Sequence, residues 1–478
     1  MFDLSYSLHN FETIFDIECR KRDMKDYMPK EYSIVVDEIV IYNKELRALK
    51  GKRYKSLTET EKNRIVDLED KIENAHKRKN NIKDDALYNY TKVINSKSFD
   101  IALKEIDRAE GVYSLDMDSP ELFFLAKKMQ YNLRKVFNVK QNDRHLVLSQ
   151  LKLLLNEDTP RYVIKTDITK FYESIPQDKL LKLLFDNRSL DAKSKSLIKS
   201  IIENYELIKD KTVFEAGCGV PRGIGVSAYL SEVYMAELDK YVRNYKGVVY
   251  YARYVDDIMI IMQKDADSIT INDEYVGFVS KFKEFGLELK KTTDTRKCRL
   301  LNLINDSISS ELLTPLNFLG YRIDVVRKNK VTSSKFGVSD NKRDRIKHRI
   351  TKSIEYFNSE SKYDIERAKK VLLASLKLLS SNVKLSGSKS RVKAGIYYSN
   401  NLLDNVDEIA EFDTILRDEL KKLNPYDRVF SSSAQKDIYV DKLKKKILSI
   451  VNFKRGFETK RICKINCETR KLIIKIWH

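Results

Sequence analysis

Glycine and proline are scarce, at 14 and 7 in 478 residues. With so few turn formers, and 33% charged residues, the chain is expected to be helix-rich with few long loops. Cysteine is scarce too. The five present (Cys19, Cys218, Cys298, Cys463, Cys467) form no CxxC pair, and no histidine stands near the Cys463/Cys467 pair. That spacing argues against a zinc site or a disulfide framework and for free thiols in a reducing compartment. No apolar run approaches the roughly 18 residues that a membrane span requires. The opening "MFDLSYSLHNFETIF" also lacks the cationic and apolar regions of a secretory signal. The expectation is a cytoplasmic protein without a membrane partner.

What the chain does have is positive charge. Its net charge is +20. From Val331 to His478 there are 33 Lys and Arg against 18 Asp and Glu, so most of the excess lies in the last third. A basic surface of that size suits a polyanion, most often nucleic acid. With 42% hydrophobic residues the chain is long enough for two or three domains with cores of their own.

Three textures follow one another. Residues 1–110 are polar and charge-dense. Thr58 with Glu61 makes a capping box, and Ile65, Leu68 and Ile72 recur at helical spacing, which predicts a helical hairpin. Over 111–330, short β-branched and aromatic runs ("RYVIKTDI", "GVVYYARYVDDIMIIM", "NFLGYRIDVV") alternate with helical segments such as "QDKLLKLLFDN". That mixture predicts an α+β domain on a small antiparallel sheet. After Val331 the pattern reads as helical again and strongly basic, with "SGSKS" (386–390) as a polar loop.

The chemistry-bearing residues lie in the middle third. "YVDDIMIIM" reads as strand, turn, strand, with Asp256 and Asp257 at the corner; burying both unpaired would be costly. "RYVIKTDI" predicts a strand ending at Asp167, 89 residues before Asp256. Carboxylates converging from two strand ends make a hard oxygen site suited to Mg²⁺, although Asp167 could equally cap a following helix. "GCGVPRGIGVS" places four of the 14 glycines between Gly217 and Gly225, just before a helix predicted near Ser227. Such a run lets the backbone pass close to a ligand and offers helix N–H groups to phosphates or bases.

In order and rough spacing, Asp167 with Phe171 and Tyr172, then "GVPRGIGVS", then "RYVDD" resemble motifs A, B and C of reverse transcriptases. "FGLELKKTTD" (285–294) resembles motif D. "NFLGYRI" (317–323) resembles the primer grip of group II intron and retron enzymes, and "NVKQNDRHLVLSQLKLLL" (138–155) is similar to their fingers segment. The resemblance implies a right-hand polymerase: a helical N-terminal region (1–110), fingers and palm with an antiparallel sheet (111–330), and a basic helical thumb with a C-terminal extension (331–478).

It also implies roles. Asp167 and Asp256 would be the principal ligands of two Mg²⁺ ions, with Mn²⁺ as a substitute, joined by the carbonyl of Ile168 and, less directly, Asp257. Lys291 would protonate pyrophosphate, with Lys290 and Lys297 as competitors. Tyr172 would exclude a ribose 2′-hydroxyl, beside Phe171. Arg144 and Lys140 would meet the triphosphate, Arg222 and Gly223 the template and incoming base, and Leu319, Gly320 and Tyr321 the primer end. Arg222 stands where many relatives carry glutamine, which puts ordinary template handling in doubt.

The direct passage from fingers into motif A, the helical N-terminal region and the missing endonuclease signature resemble bacterial defence-associated and abortive-infection reverse transcriptases. That likeness implies antiphage defence. It also implies dNTPs, a DNA primer or product, and a noncoding RNA, a second reverse transcriptase or another copy of the chain as partners. Two rival readings stay open: an RNA-dependent RNA polymerase, and a polymerase-fold scaffold that binds nucleic acid without chemistry.

Overall fold

The computed structural model describes residues 3–21, 23–51, 58–96, 99–107, 111–115, 119–263, 269–304, 315–384 and 393–478. The polar loop expected at 386–390 lies outside them. The chain packs as two compact units, neither continuous in sequence: residues 1–141, 170–240 and 282–287 form the first, and 142–169, 241–281 and 288–478 the second. Among the described residues no helix is long and apolar enough to cross a membrane. Cys19, Cys218, Cys298 and Cys463 are free thiols.

The first unit is mainly helical. Helices Lys30–Lys50 and Glu59–Asn95 form the expected hairpin. The capping box is present, with Thr58 accepting from Glu61 N–H and Glu61 accepting from Thr58 N–H at 3.0 Å. Ion pairs Arg64–Glu45 (2.8 Å) and Arg78–Glu38 (2.5 Å) run antiparallel across it. Exposed pairs of this kind stabilise by only about 0.2–1 kcal/mol each, so the hairpin depends chiefly on its buried stripe, in which Leu68 and Ala75 are fully covered. Helix Pro120–Phe137 inserts Phe123, Phe124 and Leu125 into the core. A short antiparallel ribbon, Leu103–Asp107 with Val112–Leu115, completes this part.

The second unit is built on two larger antiparallel sheets, with a short ribbon of Asn382–Lys384 and Lys393–Gly395 besides. Four strands lie in the order Val248–Tyr254, Asp257–Gln263, Arg161–Asp167, Arg299–Leu303. The strand Arg161–Asp167 is buried along its whole length. Val163, Met259, Ile261 and Leu301 from this sheet share one core with Val147, Leu148 and Leu151 of helix Arg144–Leu154. The second sheet joins Leu316–Phe318, Tyr321–Lys328 and Val331–Val338. The α+β class with antiparallel sheets is therefore as expected.

One correction concerns Val331. Helix does not resume there: Val331–Val338 is a strand paired with Tyr321–Lys328, and helix begins at Asp340. Its burial alternates, with Thr332, Ser334 and Phe336 inward and Ser333 and Lys335 outward. Small hydroxyl residues on the inward face hid this period of two. Beyond it, helices Asp340–Glu360, Ile365–Leu379, Asp407–Glu419 and Ser433–Ile450 enclose a separate core. Leu372, Leu376, Phe412 and Ile447 are fully buried in that core, at about 1.5–3 kcal/mol for each large apolar side chain.

Candidate active site

In the second unit, antiparallel register places Asp167 directly opposite Asp257. The strands Val248–Tyr254 and Asp257–Gln263 pair through Tyr254↔Asp257, so Val255 and Asp256 alone form the turn. Two-residue hairpins favour Asn-Gly because the turn needs left-handed backbone. Here Val255 takes φ +60°, an outlier for a β-branched residue that costs on the order of 1–3 kcal/mol. Arg253 restrains the turn by donating to the Val255 carbonyl at 3.0 Å. The strain has a visible product: the Asp256 carbonyl accepts from Ile168 N–H at 3.0 Å, which fixes the corner against the chain just past Asp167. In extended chain a residue's N–H and C=O project to the same side, so the Ile168 carbonyl also faces this corner.

The side chains meet there. The Asp257 carboxyl lies beside that of Asp167, its register partner. Burial and the Asp167 carboxylate push the Asp257 carboxyl up to about 7. Burial works against ionisation of Asp167 as well, but the Asp257 carboxyl and the ammonium groups of Lys165 and Lys297 outweigh it and hold Asp167 below the ordinary carboxylate range. Lys165, 1% exposed, bonds Asp167 Oδ1, lies 3.3 Å from Asp257 Oδ1 and donates to the Lys297 carbonyl at 2.9 Å. Lys297 Nζ sits 2.5 Å from Asp167 Oδ2. Asp256 is half-buried.

This corner was tested as a cation site on its donors. Three carboxylates and a carbonyl are the hard oxygens that Mg²⁺ prefers, and the repulsion of two carboxylates facing each other is what a dication would relieve. The donor set fits. Among the described residues, however, no group of three His, Cys, Asp or Glu side chains is arranged to hold a metal ion, and ammonium groups hold the oxygens of Asp167.

The other expected residues of this unit fall as follows. Lys291 is exposed, and of Lys290, Lys291 and Lys297 it is Lys297 that rests on Asp167. The segment that carries both is tied down by backbone, with Lys290 N–H to the Asp167 carbonyl at 3.0 Å and Thr169 N–H to the Glu288 carbonyl at 2.7 Å. Leu319 (φ +45°) and Gly320 (φ +78°) form the turn between Phe318 and Tyr321. Arg144 donates its Nε to the Leu319 carbonyl at 3.1 Å and lies 5.6 Å from the Tyr321 ring centroid. Its guanidinium is thus engaged by the turn. Motif spacing does not single out Lys165. The signal that could is its place two residues before Asp167, which puts both on one face of the strand.

In the first unit, Phe171 is buried and Tyr172 half-exposed, their rings 5.4 Å apart. The glycine-rich segment is zipped to the chain that follows them, with Val220 N–H to the Tyr172 carbonyl (2.8 Å) and Gly219 N–H to the Ile175 carbonyl (2.7 Å). Arg222 is exposed and lies 3.9 Å from Glu173, while its carbonyl accepts from Tyr113 N–H at 2.7 Å. Glu173, next to Tyr172, is therefore the acid within ion-pair reach of Arg222. Lys140 is exposed and lines a small cleft with Arg134, Tyr229 and Glu232. The predicted helix begins at Ser227, whose hydroxyl donates to the Pro221 carbonyl at 2.6 Å.

Gly223 has φ +95°, and a Cβ there would press into the Tyr113 carbonyl oxygen. Gly223→Ala is expected to destabilise by at least about 2 kcal/mol, combining left-handed strain with displaced backbone. A chemical-denaturation midpoint equal to wild type would show that the ribbon yields instead.

Residues 121–323 match the family described as Reverse transcriptase (RNA-dependent DNA polymerase). No curated protein matches the chain. Among solved structures, an apo telomerase from Candida tropicalis truncated from its C-terminal domain is 16% identical, covering 43% of this chain and 46% of its own, with TM-score 0.31. A telomerase from Candida albicans in complex with a TWJ fragment of telomeric RNA is 13% identical, covering 74% and 54%, with TM-score 0.32. The chain spans about half the length of these structures.

Proposed function

We propose that the whole chain is an RNA-directed DNA polymerase that adds deoxynucleotides to a DNA 3′-end or to a protein hydroxyl, and that it serves in antiphage defence. The observation that carries the catalytic reading is the corner where Asp167 and Asp257 face each other, with Asp256 on the turn pinned to Ile168. In this reading residues 1–110 are a helical N-terminal region, 111–330 fingers and palm, and 331–478 thumb and extension. The defence role rests on the resemblance in the sequence alone, as do a noncoding RNA, a second reverse transcriptase or another copy of the chain as partners.

Asp167, Asp256, Asp257 and the Ile168 carbonyl would hold two divalent ions. Bound there, such ions activate the attacking hydroxyl and stabilise the pyrophosphate leaving group. The transfer forms a bond from the 3′-oxygen to the α-phosphorus and breaks the bond to pyrophosphate. The hydroxyl proton leaves to solvent or base, and Lys291 supplies one to pyrophosphate. Tyr172 sits against the ribose and disfavours a 2′-hydroxyl. By the resemblance Lys140 would meet the triphosphate, joined by Arg144 once it leaves the Leu319 carbonyl that engages it; Arg222 and Gly223 would meet the template, and Leu319, Gly320 and Tyr321 the primer end.

The test is to purify the protein with its bound nucleic acid, sequence that material, and supply labelled dNTPs or NTPs with and without RNase. DNA product lost after RNase supports a bound RNA template, and product that persists supports untemplated or protein-guided synthesis. Preferred use of NTPs would make the chain an RNA polymerase. Tyr172→Ala is expected to raise ribonucleotide use about tenfold or more, and unchanged selectivity would return Tyr172 to core packing. One observation favours the scaffold reading, namely that Lys165 and Lys297 neutralise Asp167. Absence of any incorporation, with nucleic acid still bound, would decide for it.

A further inference from the structure

All residues of interest here lie between 342 and 478, outside the matched domain and away from the carboxylate corner. Lys342, Arg345 and Arg349 recur at spacings of three and four on helix Asp340–Glu360, so they share one face. Helix Cys467–Trp477 packs against that helix and brings Arg470 and Trp477 to the same place. Together they line a cavity of about 280 Å³ whose remaining wall is mixed, with Leu379 and Ile474 beside the polar Ser399, Asn400 and His478. Trp477 is held in position: its Nε1–H donates to Ser353 Oγ at 3.0 Å, and the Arg349 guanidinium lies 4.9 Å from its ring centroid.

Four basic side chains gather here, and no Asp or Glu side chain is among the lining residues. Among the described residues, none of Lys342, Arg345, Arg349 and Arg470 forms an ion pair. Lys342, 8% exposed, bonds only neutral oxygens, Asn400 Oδ1 at 2.7 Å and the Ser399 carbonyl at 3.2 Å. Burial, with Arg144 and Arg345 nearby, pushes the Lys342 ammonium down to about 7, and burial with Arg345 lowers the Arg349 guanidinium too. Like charges drawn together at a partly buried cavity repel, and an anion placed among them removes that repulsion. The aromatic and apolar side adds a second requirement. A stacked guanidinium and indole form a surface on which a nucleobase stacks. At about 280 Å³ the cavity lies at the small end of ligand pockets, room for one nucleotide unit and not for a duplex.

We propose that this cavity binds a nucleoside 5′-phosphate unit, its phosphate on Lys342, Arg345 and Arg470 and its base against Arg349 and Trp477. The unit is a free nucleotide or the 5′-end of a single strand. The site lies apart from the carboxylate corner but adjoins the turn assigned to the primer end, since Lys342 Nζ is 4.8 Å from the Tyr321 ring centroid; the proposal does not depend on the polymerase reading.

Trp477 is the only tryptophan in the chain, so intrinsic fluorescence reports this cavity directly. The full-length protein, in EDTA, is titrated with AMP, with inorganic phosphate, and with one oligothymidylate in 5′-phosphorylated and 5′-hydroxyl forms. Saturable quenching is expected with AMP or the 5′-phosphorylated strand, about tenfold tighter than with phosphate or the 5′-hydroxyl strand. Quenching by AMP identifies a free nucleotide as occupant, and quenching only by the phosphorylated strand identifies a strand end. Arg345 is exposed and unpaired, so Arg345→Gln is expected to keep the melting temperature and primer extension while weakening binding about tenfold; Arg470→Gln is expected to weaken it similarly. No quenching by any of the four, phosphate binding as tightly as AMP, or unchanged affinity in both variants would overturn the proposal.

Discussion

Asp256→Asn is expected to lower dNTP incorporation by about three orders of magnitude and to leave the melting temperature unchanged. Loss of one carboxylate from a two-ion site removes several kcal/mol of transition-state stabilisation, and about 4 kcal/mol corresponds to about a thousandfold in rate. Asp256 is half-buried at a turn, where a near-isosteric amide shifts stability by no more than about 0.5 kcal/mol. Asp167→Asn should behave differently. It abolishes incorporation as well, but also leaves Lys165, 1% exposed, with one strong partner fewer. Removing one member of a buried ion pair typically destabilises by about 3–5 kcal/mol, so this variant should melt well below wild type. Single-turnover incorporation with matched thermal melts checks both. If Asp256→Asn kept wild-type incorporation, the corner would not be a catalytic cation site.

The contrast between those two aspartates shows what the sequence could carry. The strand ending at Asp167 and the strand-turn-strand around Asp256 and Asp257 are legible because each is local: a short β-branched or apolar run that ends at a carboxylate. Strand register is not. Only pairing reveals that Asp257, rather than Asp256, stands opposite Asp167. The same holds for Lys165 between the two carboxylates and for Lys297, 130 residues from Asp167, bonded to it. Arg144 reads as a free cation on a helix start, yet its guanidinium is engaged by the carbonyl of Leu319, 175 residues on. The strand Val331–Val338 was missed because its inward residues are Thr and Ser rather than aliphatic. Long-range partners depend on how elements dock, and no spacing in the chain encodes that.

Lys165→Met is the second variant with a large expected effect, and it tests the electrostatics of the corner apart from turnover. Methionine keeps the apolar reach of the lysine stem and deletes only the ammonium. Asp167 and Asp257 would then face each other with Lys297 as the remaining cation, and its side chain is 50% exposed. Uncompensated charge at a buried site should lower stability in EDTA by about 3–5 kcal/mol, a fall of about 10 °C or more for a unit of this size. Magnesium at about 10 mM should recover most of that loss, since an ion bound only by the folded state stabilises it by about 2.7 kcal/mol at a hundred times its dissociation constant. Wild type should gain less, because there the ion must first displace the Lys165 ammonium from Asp167. Melts of both proteins with and without magnesium decide the matter. Equal magnesium shifts in the two would mean that the ammonium and the ion do not compete for the same oxygens, and that the carboxylate corner holds its lysines for structure alone.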